Sequence, residues 1–227
     1  MLHLPNPYSR HHSPMPQFLI ISPPKTGSTW LADNLRHHPQ LFLPAVKEIR
    51  YFSMLCRWLD LDWYVKHFSQ AAGRKAGEAS PSYAALPPEA IRWIRDLAPR
   101  MKLIFLMREP VSRAWSHAKH MHRYQEGSFE GCTAPLSEVP DSQWFEHIAG
   151  DWPLAMSDYL GQLRRWLAEF PRDQIFVGFY ESIAERPEAL LRELFAFLGV
   201  DHAIDLGGFP LNERILVGPQ GEPRPGS

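Results

Sequence analysis

Lys25, Thr26, Gly27, Ser28 and Thr29 stand in a row, two prolines after the apolar run 18–22 and ahead of a helical pattern. These residue types suit the capture of an anion. A glycine lets the backbone approach closely, amides at a helix N-terminus carry partial positive charge, and the two hydroxyls add donors. Lys25 adds a mobile point charge. The order differs from the nucleoside-triphosphatase loop G-x-x-x-x-G-K-[ST], because here the lysine precedes the glycine. The plainer alternative is a capped helix start with a surface lysine.

A second anion site is legible in MREPVSRAWSH, 107–117. Arg108 ends the apolar run KLIFLM, and Pro110 suits a first helical position. Arg113 and Ser116 are three apart and can share a helix face. An arginine fork with a serine hydroxyl fits a second phosphate; capping a strand or pairing with a carboxylate is the alternative for Arg108. Two such sites suggest a nucleotide phosphorylated at two places. Arg108 stands where an aspartate would help to hold magnesium, so transfer without a metal is expected.

The elements that must position these residues follow from pattern. FLIIS (18–22), KLIFLM (102–107) and IFVGFY (175–180) read as strands covered on both faces, since none alternates. Helical patterns occupy 28–37, 88–98, 110–122, 154–170 and 187–198, the last ending at Gly199. In 154–170, Tyr159, Leu163, Trp166 and Leu167 form one stripe. Alternating strands and helices predict an α/β fold, a three-layer sandwich with a central parallel sheet and helices on both faces. Ligands then bind beyond the carboxyl ends of the strands. Segment 125–152 is irregular and reads as a lid or acceptor-binding loop. An irregular arm (1–16), a domain (17–207) and an irregular tail (208–227) are expected.

The chain has 227 residues, enough for one sizeable domain. With 24 basic and 25 acidic residues there is no basic excess of the kind a nucleic-acid binder shows. Cys56 and Cys132 make neither a disulfide framework nor a zinc set. No apolar run approaches the roughly 20 residues that cross a bilayer. A soluble, cytoplasmic protein is the expectation.

At this point the chain resembles the sulfotransferases that use 3′-phosphoadenosine 5′-phosphosulfate (PAPS), whose domain has a P-loop-like fold. PKTGSTW is similar to their 5′-phosphosulfate loop and REPVSRAWS to their 3′-phosphate motif. KEIRYFS (47–53), LDWYVKHF (61–68), GEASPSYA (77–84) and FYESIAERPEALLRELFAFLGV (179–200) follow in the family's order. The resemblance implies that Lys25 bridges toward the leaving oxygen and that Thr26, Gly27, Ser28, Thr29 and Trp30 surround the 5′-phosphosulfate. It implies that Arg108 and Ser116 hold the 3′-phosphate, that Tyr180 contacts adenine, and that Glu48 is the general base. A carboxylate within hydrogen-bond reach can take the acceptor's proton; the alternative is a surface glutamate paired with Lys47 or Arg50. His117 and His120 are further candidate bases. The chain departs from the heparan-sulfate-type pattern at Arg50 and Ala79, where histidine and lysine are usual, and no basic glycine-containing loop follows; Arg214 is a candidate substitute.

The expected reaction is sulfuryl transfer from PAPS to a hydroxyl of a small-molecule, lipid or saccharide acceptor. Trp58, Trp63, Tyr64, Tyr83 and Trp144 are candidates for an acceptor pocket, although aromatics so spaced are often core. A P-loop kinase and a nucleotide-binding relative without catalysis are the competing functions.

Overall fold

β1 (Phe18–Ile20) is the central strand of a five-stranded sheet. The computed structural model describes residues 15–213. Around β1 lie β2 (Leu41–Phe42), β3 (Lys75–Ala79), β4 (Lys102–Met107) and β5 (Ile175–Phe179), in the order β2-β3-β1-β4-β5. Every pairing is parallel. The helices are α1 (Ser28–Arg36), α2 (Leu61–Lys66), α3 (Pro88–Leu97), α4 (Pro110–Tyr124), α5 (Asp141–Ile148), α6 (Asp151–Ala155), α7 (Tyr159–Leu167), α8 (Ser182–Glu185) and α9 (Pro187–Leu198).

The missing alternation in the strands has its expected cause. Phe18 and Ile20 of β1, with Ile104 and Leu106 of β4, pack on α1 and α9 through Leu31, Leu35, Leu191 and Leu194. Leu19, Leu103 and Phe105 point the other way, onto Tyr64, Ile91, Ile94 and Trp166 from α2, α3 and α7. Both faces are therefore buried, and successive residues serve different layers. At the end of α9, Gly199 adopts φ 70°. The carbonyls of Leu198 and Phe197 accept from Lys75 and Lys102, which stand at the starts of β3 and β4. Cations at a helix C-terminus complement its dipole.

Two strands escaped the sequence reading. β2 has only two residues. β3 reads Lys-Ala-Gly-Glu-Ala, with no branched or aromatic side chain. Its composition answers to its neighbours instead: Gly77 is the register partner of Phe18, and a Cβ at Gly77 would overlap the Phe18 ring. The expected helix over 154–170 is two helices, α6 and α7. Asp158 breaks the pattern by capping α7, its Oδ1 accepting from Gly161 N–H at 2.9 Å. Of the stripe, Trp166 is buried but Leu167 is 42% exposed. Segment 125–152 holds α5 and a small core of its own, in which Phe129, Val139 and Trp144 pack on Trp115 and Ala118 of α4.

Gly77→Ala tests the β1–β3 contact. Overpacking a filled site costs roughly 1–3 kcal/mol, so urea unfolding should show a lowered midpoint with an unchanged slope. A variant as stable as the wild type would mean that the Phe18 ring is free to move aside.

Candidate active site

The seam between β1 and β4 continues past the last residue of β1. Ile21 N–H donates to the Ile104 carbonyl at 2.9 Å. Ser22 Oγ accepts from Leu106 N–H at 2.8 Å and donates to the Ile104 carbonyl at 3.3 Å. Two prolines then turn the chain off the sheet, and Thr26 Oγ1 folds it back by donating to the Pro23 carbonyl at 2.7 Å. Lys25 and Gly27 both take left-handed backbone, at φ 70° and 92°. A side chain at Gly27 would meet Ile183 and the Tyr180 ring. α1 begins there with no side-chain cap and no acidic residue in its first turn, so its positive end stays available to an anion. α4 differs, because Glu109 already accepts from the N–H groups of Val111 and Ser112 at 2.8 and 2.7 Å.

Arg108 leaves the end of β4 and crosses to the loop. Its Nη1 donates to the Lys25 carbonyl at 3.1 Å, and its guanidinium lies 4.3 Å over the Tyr180 ring. Tyr180 N–H is itself bound to the Met107 carbonyl at 2.7 Å. Lys25, Gly27, Ser28, Thr29, Trp30, Glu48, Arg108, Ser116 and Tyr180 consequently line one cavity of about 1460 Å³. Burial, and after it the charges of Arg108, Lys47 and Arg123, hold the Lys25 ammonium below its ordinary pKa, against a smaller opposing pull from Glu48. Cations crowded in this way are relieved by a bound anion.

Two expected contributors are placed differently. Thr26 is fully buried and its hydroxyl serves the Pro23 carbonyl. Arg113 does not share a face of the cavity with Ser116. It is buried, and its Nη2 donates to the Pro153 carbonyl at 3.1 Å and to Ser157 Oγ at 2.6 Å, fastening α4 to α6.

Glu48 is ion-paired, the plainer of the two expectations, and it also lines the cavity. It pairs with Arg50, whose Nε donates to Oε2 at 3.0 Å, and with Lys47 at 3.4 Å. Burial raises its pKa, but the Arg50 hydrogen bond and the two cationic charges outweigh this and hold it below the ordinary value. Glu48 and Arg50 both have positive φ, 62° and 55°. Strained non-glycine backbone collects at functional sites, and three such residues, Lys25, Glu48 and Arg50, border this cavity.

His117 and His120 also line the cavity. His117 is buried, with its Nδ1 3.1 Å from His147 Nε2. Burial first, then the neighbouring charges, lower its pKa to about 3. The expected aromatic pocket is corrected: Tyr64, Tyr83 and Trp144 are core, Trp63 packs against the core, and Trp58 is largely exposed away from the cavity. The aromatics that do line it are Trp30, Trp115, Tyr124, Trp152 and Tyr180. Sequence reasoning missed Leu211, whose carbonyl accepts from Trp30 Nε1 at 3.0 Å and which carries the chain back to the cavity mouth; Arg214 lies outside the described residues. No group of three or more potential metal ligands occurs among the described residues, and none of their helices is long and apolar enough to cross a membrane.

A parallel α/β sheet with a glycine-bearing loop and an open helix end at its carboxyl edge, and an arginine from the adjacent strand, defines a P-loop-like α/β fold. A sulfotransferase domain model matches residues 15–206, and the chain belongs to that family. It is similar to the membrane-associated sulfotransferase kil1 of Dictyostelium discoideum, at 28% identity over 88% of this chain and 61% of that protein. It is also similar to the mouse bifunctional heparan sulfate N-deacetylase/N-sulfotransferase 3, at 26% over 82% of this chain and 22% of the relative. The chain thus spans between about three fifths and about a fifth of the length of these relatives. Among solved structures, a sulfotransferase from Alicyclobacillus acidocaldarius superposes with a TM-score of 0.69 at 26% identity, over 88% of this chain and 86% of that one. Mouse sulfotransferase SULT7A1 complexed with PAP shares the fold, with a TM-score of 0.51 at 19% identity, over 82% and 60% of the two chains.

The Glu48 ion pairs make a directional prediction. A depressed folded pKa gives stability that is present above the unfolded glutamate value, about 4.3, and is lost as pH falls through the folded one. In Arg50→Ala the burial effect remains while a cation is gone, so carbon-detected NMR should show Glu48 titrating at higher pH than in the wild type. The stability gap between the two proteins, present at neutral pH, should close as acid protonates Glu48. An unmoved titration would show that Arg50 does not set the charge state of Glu48.

Proposed function

We propose that this protein transfers a sulfuryl group from PAPS to a hydroxyl acceptor, releasing adenosine 3′,5′-bisphosphate. The observation that carries this reading is the joining of the uncapped α1 N-terminus to Arg108 across the β1–β4 seam, with Glu48 on the wall of the same cavity. PAPS, when bound, supplies an activated sulfuryl group on a phosphate that is a good leaving group.

The chain's own residues supply the rest. The Ser28 and Thr29 hydroxyls and the first amides of α1 hold the 5′ end, while Arg108 and Ser116 hold the 3′-phosphate. Tyr180, pinned under Arg108, offers its ring to the adenine. Lys25, already short of counter-charge, is placed to stabilise negative charge developing on the leaving oxygen. Glu48 accepts the acceptor's proton. Its ion pairs with Lys47 and Arg50 keep it ionised, and they must loosen as the proton arrives, since a carboxylate so clamped is a weak base. Met54, Leu86, Tyr124 and Trp152 also line the cavity and offer apolar surface to the acceptor. A small-molecule, lipid or saccharide alcohol fits this description. A kinase reading is not favoured by the family match.

Adenosine 3′,5′-bisphosphate should raise the melting temperature without magnesium, in proportion to the logarithm of its excess over Kd. Arg108→Ala should lose most of that shift. With 4-nitrophenol, a long-chain alcohol and an unsulfated glucuronate–glucosamine polysaccharide as acceptors, Glu48→Gln should lower transfer by about 10²–10⁴-fold and leave nucleotide binding nearly intact. Lys25→Ala should lose both. A thermal shift seen only with ATP and magnesium would reject the assignment.

A further inference from the structure

Glu78, in β3, is a buried carboxyl with no part in the scheme above; it is 2% exposed and does not line the cavity. Its Oε1 accepts from Tyr64 OH and Tyr83 OH, each at 2.8 Å, and its Oε2 accepts from Ser80 Oγ at 2.8 Å. Three hydroxyl donors converging on one group suit an ionised carboxylate, which only accepts. Burial holds its pKa above the ordinary carboxyl value, and the three hydroxyls offset that rise only in part.

A hydroxyl has one proton. With those of Ser80 and Tyr83 directed at Glu78, each oxygen presents lone pairs to its other neighbour. Both neighbours are main-chain amides of one turn: Arg50 N–H donates to Ser80 Oγ at 3.0 Å, and Phe52 N–H donates to Tyr83 OH at 3.3 Å. The Glu48 amide completes the set, donating to the Ala79 carbonyl at 3.1 Å. This is the turn in which Glu48 and Arg50 hold left-handed backbone. Such strain costs on the order of 1–3 kcal/mol per residue and persists only where the surroundings over-determine it.

We propose that Glu78 is a positioning residue: through Ser80 and Tyr83 it polarises two amide–hydroxyl–carboxylate relays that hold the strained 48–52 turn and so aim the Glu48 carboxylate into the cavity. The proposal rests on Glu48 being the base. Tyr64 bonds Glu78 without relaying to the turn, which makes it an internal control.

The test compares Ser80→Ala, Glu78→Gln and Tyr64→Phe. Ser80→Ala removes the acceptor of the Arg50 amide. Its hydrogen exchange, read by NMR, should quicken about tenfold or more, as loss of one buried hydrogen bond implies. Transfer to whichever acceptor the wild type uses should fall by a similar factor, while the Kd for adenosine 3′,5′-bisphosphate stays within about twofold. Glu78→Gln, which turns a donor toward the hydroxyls, should do the same; if it does not fold, Ser80→Ala carries the test. Tyr64→Phe should leave transfer and Arg50 exchange within about twofold, its hydrogen bond lying outside the relays. In a Glu48→Gln background, Ser80→Ala should cost no further activity, because both act through one group. Unchanged Arg50 exchange in Ser80→Ala would overturn the proposal, as would an equal loss in Tyr64→Phe or a full additional loss in the double variant. Amide exchange needs no acceptor, so a failure of the anchoring is read separately from a failure of Glu48 as base, which Glu48→Gln alone reports.

Discussion

The adjacency of β1 and β4 is the constraint on which the site depends. The loops after these two strands bring different groups to it. The first offers an open helix end and one lysine; the second has its helix end closed by Glu109 and contributes Arg108. Parallel pairing brings both to the same edge of the sheet, and Ser22 carries the seam beyond the regular strand. Arg108 can then reach the Lys25 carbonyl and brace Tyr180 from β5. One side chain thus joins three consecutive strands of the sheet at the height where a ligand would sit.

The third wall is held by different means. The 47–52 turn has no regular structure, and its residues 48 and 50 are strained. It is kept in place by main-chain amides delivered to Ala79, Ser80 and Tyr83. Because β3 pairs directly with β1, those anchors share the frame of the anion loop. Lys25, which follows β1, and Glu48, anchored to the end of β3, are therefore held by paired strands.

Much of this was legible from residue pattern, for reasons that are local. Strands of Phe, Leu and Ile buried on both faces announce themselves, and Pro110, Pro187 and Gly199 mark helix ends by backbone geometry alone. What escaped was set by tertiary partners. β3 is glycine- and glutamate-bearing because Phe18 fills the space beside Gly77 and three hydroxyls answer Glu78. Arg113 could share a face with Ser116 in projection, yet α6 claims it. The aromatics Tyr64, Tyr83 and Trp144 could not be told from a pocket by spacing, since core and cavity both call for large apolar surface. Asp158 carried a usable signal, an aspartate with room to cap, in a stretch whose apolar stripe read as continuous.

The order of strands has a consequence for how the chain comes off the ribosome. β1 is made first but takes its two partners from residues 75–79 and 102–107. Until the latter emerges, Phe-Leu-Ile-Ile lacks one of its two strand partners, and α7 and α9, which complete its covering layers, come later still. Non-local parallel pairing is slow to form and exposes aggregation-prone surface meanwhile. The most buried strand of the mature protein is thus the most vulnerable segment of the nascent one, and the anion loop that follows it takes shape only after half the chain has been synthesised.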